Sequence, residues 1–214
     1  MILNKINSPS DIKQLSINEM EELAHEMRSC IINRVNTIGG HLGPDLGIVE
    51  TTIAMHYVFN SPQDKFVFDV SHQIYAHKIL TGRKNDFVNL RKLGGISGFS
   101  KYSESEYDAF VAGHASNSIS AALGMAIGSE KLDSDRKVVA VIGDGSMTGG
   151  LAFEGLNNVC VNPNNLLVIL NDNNMAIDNA VGGLSEYLTD ITSSAFYNKW
   201  RFRFYNFLKK IGLM

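Results

Sequence analysis

From Ser16 to Ile38 the apolar residues Met20, Leu23, Met27, Ile31 and Val35 recur every three or four positions. That spacing lines one face of an amphipathic helix, and Ser16 with Glu19 forms a capping box at its start. The glycine-rich "GGHLGPDLG" breaks the pattern, and "IVETTIAMHYVFN" resumes it as a second helix. "KFVFDV" is a short β-rich run, and "SHQIYAHKILTG" is a helix entered from a loop and ended at Gly82. A long Gly- and Ser-rich stretch, "LGGISGFSKYSESEYDAFVAGHA", shows little periodicity. Such loops in compact domains are usually functional or mobile.

The clearest pattern follows. Ser116–Ser129 is a small-residue helix with Ile119, Leu123 and Ile127 on one side. "KVVAVIGDG" is a continuous apolar strand of the kind buried on both faces, Met147–Val159 is helical, and "NLLVILNDN" is a second apolar strand. Strands alternating with helices predict an α/β fold with a doubly wound, mainly parallel sheet. Residues 1–190 read as one domain. Residues 191–214 read as a basic-aromatic helical tail or the start of a linker, holding Lys199, Arg201, Arg203, Lys209 and Lys210 among aromatic residues. That tail suits a docking helix better than a membrane or nucleic-acid contact, because the rest of the chain is acidic.

Composition narrows the classes. The chain has 214 residues, is 44% apolar and carries a net charge of −3. A core is affordable, and a dedicated nucleic-acid binder is disfavoured. Cys30 and Cys160 stand apart with no CxxC pairing, so they read as buried thiols in a reducing compartment. No signal peptide and no spanning apolar run is evident, which predicts a cytoplasmic protein without membrane partners.

Candidate chemistry centres on "VIGDGSMTGG". A strand-to-helix turn favours anions, yet this one carries Asp144 between two glycines. One helix and one strand later comes "NDNNM", which a right-handed βαβ unit brings to the same sheet edge. A carboxylate, an amide oxygen and main-chain carbonyls suit Mg²⁺ or Ca²⁺ rather than zinc. Two unit charges 4 Å apart interact by about 4 kcal/mol at an effective dielectric near 20. A bridging divalent ion turns that repulsion between Asp144 and a diphosphate into two attractions.

GDG followed at this interval by an Asn-rich strand end resembles the signature of thiamine-diphosphate enzymes. "GGHLGPDLGIVE", "DVSHQIYAHKILTGR", "GGISGF", "SESEYDAFVAGHAS", "SISAALGMA", "VAVIGDGSMTGGLAFEGLNN" and "NDNNMAI" resemble the 1-deoxy-D-xylulose-5-phosphate synthase family more closely than the transketolases. The resemblance implies a diphosphate-binding domain in which Asp144, the Asn173 side chain and the Met175 carbonyl hold Mg²⁺. It further implies that Gly145 and Ser146 contact the diphosphate, together with Asn173. His72 and the Gly113–His114–Ala115 turn would line the diphosphate and thiazolium side. His41 would face the reacting carbon and take part in proton transfer, work that suits a group titrating near neutrality, and His41 and His72 are the catalytic residues the resemblance implies. His77 reads as a weaker candidate, and His25 and His56 as structural. Ser71, Ala76, Ala115 and Asn117 depart from the family pattern around these turns.

The family joins pyruvate and glyceraldehyde 3-phosphate, with release of CO₂, to give 1-deoxy-D-xylulose 5-phosphate, a precursor for isoprenoids and thiamine. The resemblance implies a homodimer and a second, pyrimidine-binding domain carrying an activating glutamate, in cis or as a separate subunit. The sequence offers no second βαβ set and no candidate for that glutamate. Two readings follow: the cofactor-binding part of a complete or split transferase, inactive alone, and a non-catalytic cofactor-binding module.

Overall fold

The computed structural model describes residues 1–161, 165–172, 194, 199, 202 and 203. The chain divides into two compact units, Met1–Asn173 and Asn174–Met214. The elements below belong to the first. Asn173, Met175 and the expected boundary at residue 190 lie outside the described residues, as does most of the tail.

Three strands, β1 (Lys65–Phe68), β2 (Val138–Gly143) and β3 (Leu166–Asn171), form a parallel sheet in that order. Phe66 stands beside Val139 and Phe68 beside Val141, while Gly143 pairs with Asn171. Parallel neighbours put all three carboxyl ends on one edge. Side chains alternate between faces along each strand. Phe66, Phe68, Val139 and Val141 therefore join the core built by the N-terminal helices. Val67, Val138, Ala140 and Ile142 point to the opposite layer, and all four are fully buried. Burial on both faces is what a continuous apolar strand demands.

Helix α1 (Ile17–Ile38) starts where the sequence places it. The Glu19 carboxylate accepts the Ser16 N–H at 2.8 Å and the Ser16 hydroxyl at 2.7 Å. Such a cap is worth about 1 kcal/mol. Its buried stripe is Leu23, Ala24, Met27, Ile31 and Val35, each larger apolar side chain contributing roughly 1.5–3 kcal/mol by burial. Helix α2 (Val49–Val58) packs beside it. On the other face lie the crossover helices α3 (Ser118–Lys131) and α4 (Gly150–Val161). They approach closely at Gly155, where a Cβ would stand 3.0 Å from the Ile119 side chain and the Ser120 hydroxyl.

Several boundaries differ from the expected ones for identifiable reasons. Helix α3 begins at Ser118, not Ser116, because Ser116 adopts φ 73° and its N–H is taken by a side chain. After β2 a single turn, Asp144–Met147, ends before α4 begins at Gly150. The Thr148 hydroxyl donates back to the Gly145 carbonyl at 2.8 Å and closes that turn. The expected helix through "QIYAHKILTG" starts at Tyr75 and widens into a π turn over Ile79–Arg83, with Gly82 at φ 88°. The cysteines are not both buried. Both are free thiols, Cys160 is exposed on α4, and Cys30 is half-buried, burial raising its pKa. Among the described residues no helix is long and apolar enough to cross a membrane.

Candidate functional site

The carboxyl edge of the sheet gathers the sequence-predicted residues. Asp69, Asp144 and Asp172 follow the ends of β1, β2 and β3 in turn. Beyond β1 the backbone bends sharply. The Ser71 N–H donates to the Asp69 carbonyl at 2.5 Å, with Val70 at φ 57° and Ser71 at φ 63°. A three-residue turn with a β-branched residue in the left-handed region is strained, and such strain persists only where surrounding contacts enforce it. The Ser71 hydroxyl, which accepts the Ser100 N–H at 3.1 Å, is one such contact. The turn presents His72.

His72 is half-buried and meets the exposed His41 edge to face, ring centroids 5.0 Å apart at 72°. Burial, then the neighbouring His41, holds the His72 pKa below its ordinary value. Its Nδ1 is a buried atom without a hydrogen-bond partner among the described residues, as are Asn117 Oδ1 and Ser118 Oγ. Buried polar atoms are rarely left unpaired, and unpaired ones cluster where a ligand or water completes them.

Gly113, His114 and Ala115 form an exposed turn just before Ser116. The Ser116 hydroxyl donates to the Ser146 carbonyl at 2.7 Å, which brings the 113–115 segment to the Asp144–Ser146 turn. Asp144 is half-buried at the first position of its turn, with Gly143 extended before it. The Ser116–Ser146 bond thus joins Gly113, His114 and Ala115 to the turn of Asp144, Gly145 and Ser146, while His72, in contact with His41, follows the end of β1 on the same sheet edge. Asn173 and Met175, two of the three expected metal ligands, fall outside the described residues.

Sequence reasoning missed the supports. Asp69 was legible only as a polar residue within the β-rich run "KFVFDV". Beneath His41, the Arg91 Nε donates to the Tyr75 hydroxyl at 2.9 Å, and Tyr75 Oη lies 3.0 Å from where a Cβ on Gly40 would stand. The fully buried Asp45 accepts the Tyr75 N–H at 3.0 Å, and burial drives its pKa well above the usual carboxylate value. Behind the site, the long loop is tethered by ion pairs and hydrogen bonds. Arg83 grips Asp108 through two 2.9 Å bonds and Glu104 through a 2.8 Å bond, and Lys78 pairs with Glu104. The loop backbone then donates to the same carboxylates, Ser97 N–H to Glu104 at 2.7 Å and Lys101 N–H to Asp108 at 2.9 Å.

A hollow of about 400 Å³ lies near the amino end of β1, lined by residues including Lys65, Tyr102, Met125, Leu132 and Arg136. Ligands of open α/β sheets sit at the opposite, carboxyl edge, so it is not the candidate site.

Comparison with known proteins decides the family. The family described as 1-deoxy-D-xylulose-5-phosphate synthase matches residues 3–213. The chain belongs to the 1-deoxy-D-xylulose-5-phosphate synthase family. A relative of that name from Azobacteroides pseudotrichonymphae genomovar. CFP2 is 62% identical over 213 residues, all of this chain and 34% of the relative. Another, from Parabacteroides distasonis, is 60% identical over 214 residues and 34% of its length. The chain therefore spans about a third of the synthase relatives it matches. Among solved structures, a transketolase variant from Pichia stipitis superposes with a TM-score of 0.59 at 21% identity, over 74% of this chain and 28% of that one. That likeness supports the α/β fold expected from the alternating strands and helices.

Proposed function

We propose that the chain is the diphosphate- and magnesium-binding part of a 1-deoxy-D-xylulose-5-phosphate synthase, a thiamine-diphosphate-dependent transferase. The complete enzyme would join pyruvate and glyceraldehyde 3-phosphate with loss of CO₂. Homodimerisation, a cytoplasmic location and a pyrimidine-binding domain, in cis or as a separate subunit, belong to the same reading. One observation carries it: the Asp144 turn, the 113–115 turn and the His41–His72 pair converge on the carboxyl edge of a parallel sheet.

The donor set fits the group. Asp144 supplies a hard carboxylate oxygen, and Asn173 and Met175 would add an amide and a main-chain oxygen, a set that suits Mg²⁺. Gly145 and Ser146 offer backbone N–H groups to a diphosphate, joined by the turn at Gly113–Ala115. The unpaired Nδ1 of His72 and Oγ of Ser118 match a polar ligand at this edge. Thiamine diphosphate, when bound, would supply a nucleophilic carbon for chemistry on the keto acid. Burial, then the neighbouring His41, lowers the His72 pKa and so favours the neutral ring, whose unpaired Nδ1 is open to a polar ligand. His41, exposed and in edge-to-face contact with His72 at 5.0 Å between ring centroids, would face the reacting carbon and take part in proton transfer.

Asp144→Ala tests the reading. It is expected to abolish magnesium-dependent binding of thiamine diphosphate while leaving the melting temperature nearly unchanged. Calorimetry showing unaltered affinity would reject it. The 214-residue chain alone is expected to show little or no turnover of pyruvate with the aldehyde phosphate, and measurable turnover would reject the need for a further domain.

A further inference from the structure

The proposed diphosphate groups sit on two separate turns, Gly113–Ala115 and Asp144–Ser146. Two turns hold one anion well only when their N–H groups are preorganised to converge. A side chain from a third segment anchors the first of them, and Ser116 links that one to the second. Asp69, 1% exposed, accepts the Ser116 N–H on Oδ1 at 2.8 Å and the Ser118 N–H on Oδ2 at 3.0 Å. Its own N–H donates to the Val141 carbonyl at 2.8 Å, and its carbonyl accepts the Ser71 N–H and, at 3.1 Å, the Gln73 side chain. Every polar group of Asp69 is thereby committed, which fixes the carboxylate relative to β1 and β2.

Ser116 carries the restraint onward. It stands at φ 73°, a conformation a serine rarely adopts without being held, and its hydroxyl donates to the Ser146 carbonyl at 2.7 Å. Gly149 leaves the room that this needs, since a Cβ there would come within 2.1 Å of Ser116 Oγ. The chain of contacts runs from the end of β1, through the segment after His114, to the turn after β2.

We infer that Asp69 and Ser116 are positioning residues that lock the His114 turn to the Asp144 turn and so preorganise the diphosphate cradle. This rests on the cofactor reading above. A merely structural role would stabilise the fold without transmitting a change at residue 69 or 116 to Gly145 and Ser146.

The test uses the 214-residue chain with Ser116→Ala, Asp69→Asn and Asp144→Ala. Each is followed by calorimetry with magnesium and thiamine diphosphate, by thermal melting, and by backbone amide NMR without ligand. Ser116→Ala is expected to weaken binding about tenfold, the worth of one net hydrogen bond, with a melting temperature within about 3 °C of wild type. Both Ser116→Ala and Asp69→Asn are expected to move the amide resonances of Gly145 and Ser146, although Asp69 touches neither. If Asp144→Ala abolishes binding while Ser116→Ala binds like wild type and those resonances stay put, the positioning role is overturned and the cofactor reading stands. If Asp144→Ala binds like wild type, the cofactor reading fails, and unmoved resonances overturn the lock while moved ones uphold it. Should Asp69→Asn not fold, Ser116→Ala decides the matter by itself.

Discussion

Two pairs of histidines lie at nearly the same ring separation and in opposite physical states. His41 and His72 meet edge to face at 5.0 Å on the carboxyl edge, one exposed and one half-buried. His56 and His77 stack at 5.1 Å and 22° inside the core, joined by a 3.0 Å bond between Nε2 and Nδ1. The inner pair is backed by charge. His77 Nε2 lies 3.4 Å from Asp108, which Arg83 holds bidentately. Burial alone would raise the Asp108 pKa, yet the contacts from His77 and Arg83 hold it well below the usual range. Each pair keeps unpaired ring nitrogens among the described residues, His56 Nδ1 and His77 Nε2 inside and His72 Nδ1 outside, but only the outer pair lies at the open sheet edge with no carboxylate in contact. A histidine sealed in the core beside fixed charges is architecture. One that reaches the open edge of the sheet is available for chemistry.

Breaking the inner network is expected to have the largest effect. Arg83→Met removes the bidentate partner of a carboxylate that is 2% exposed. An unpaired buried charge costs about 3–5 kcal/mol, partly relieved here by Lys78, 3.9 Å from Asp108. Urea denaturation should show a loss of that order, and a loss below about 1 kcal/mol would mean that the network is ornamental.

His77→Leu comes next. It strands His56 Nε2 and takes a donor from Asp108, so a loss of about 1–3 kcal/mol is expected. The matching change in the outer pair, His72→Ala, should alter stability by less than about 1 kcal/mol and impair cofactor-dependent function instead. Equal destabilisation by the two would dissolve the contrast.

The inner pair also sets a pH dependence. Burial, then charges including those of the neighbouring His77 and Arg83, pushes the His56 pKa well below its ordinary value, and burial likewise lowers that of His77. The unfolded chain then binds more protons, so stability is full above about pH 6.5 and falls as the pH drops below it. The slope approaches about 1.4 kcal/mol per pH unit for each histidine kept neutral. Asp45 acts oppositely. Its raised pKa keeps the folded form protonated where the unfolded one ionises, so its contribution is lost as pH rises above the ordinary carboxylate value. Melting temperature should therefore fall between pH 7.5 and 5, and a flat profile there would refute the assignment of neutral core histidines.

How much of this was readable beforehand follows from range. The helix at Ile17–Ile38 and strands β1 to β3 come from local periodicity, and Ser16 with Glu19 announces its own cap. Asp144 was legible because its flanking glycines and strand context are contiguous. Asp69, Ser116 and Arg83 were not, because their meaning lies in contacts 47, 30 and 25 residues away. His77 shows the same limit. Helical spacing suggested burial, but only the fold brings Asp108 beside it. Cys160 failed in the other direction, since an apolar-looking helix position faces outward.

The smallest effect is the sharpest probe of the outer pair. Burial is the first cause of the lowered His72 pKa and His41 the second, while Asp69 pulls it upward. His41→Ala removes the second cause and opens the first slightly to solvent, so both changes act in one direction. The His72 imidazole should titrate at higher pH in the variant than in wild type, read from its ring resonances by NMR. The His56 and His77 resonances, shielded in the core and coupled to Asp108, should not move. A His72 titration that stays in place would mean that the rings adjoin without sensing each other's charge, and His41 could not then tune the proton affinity of His72.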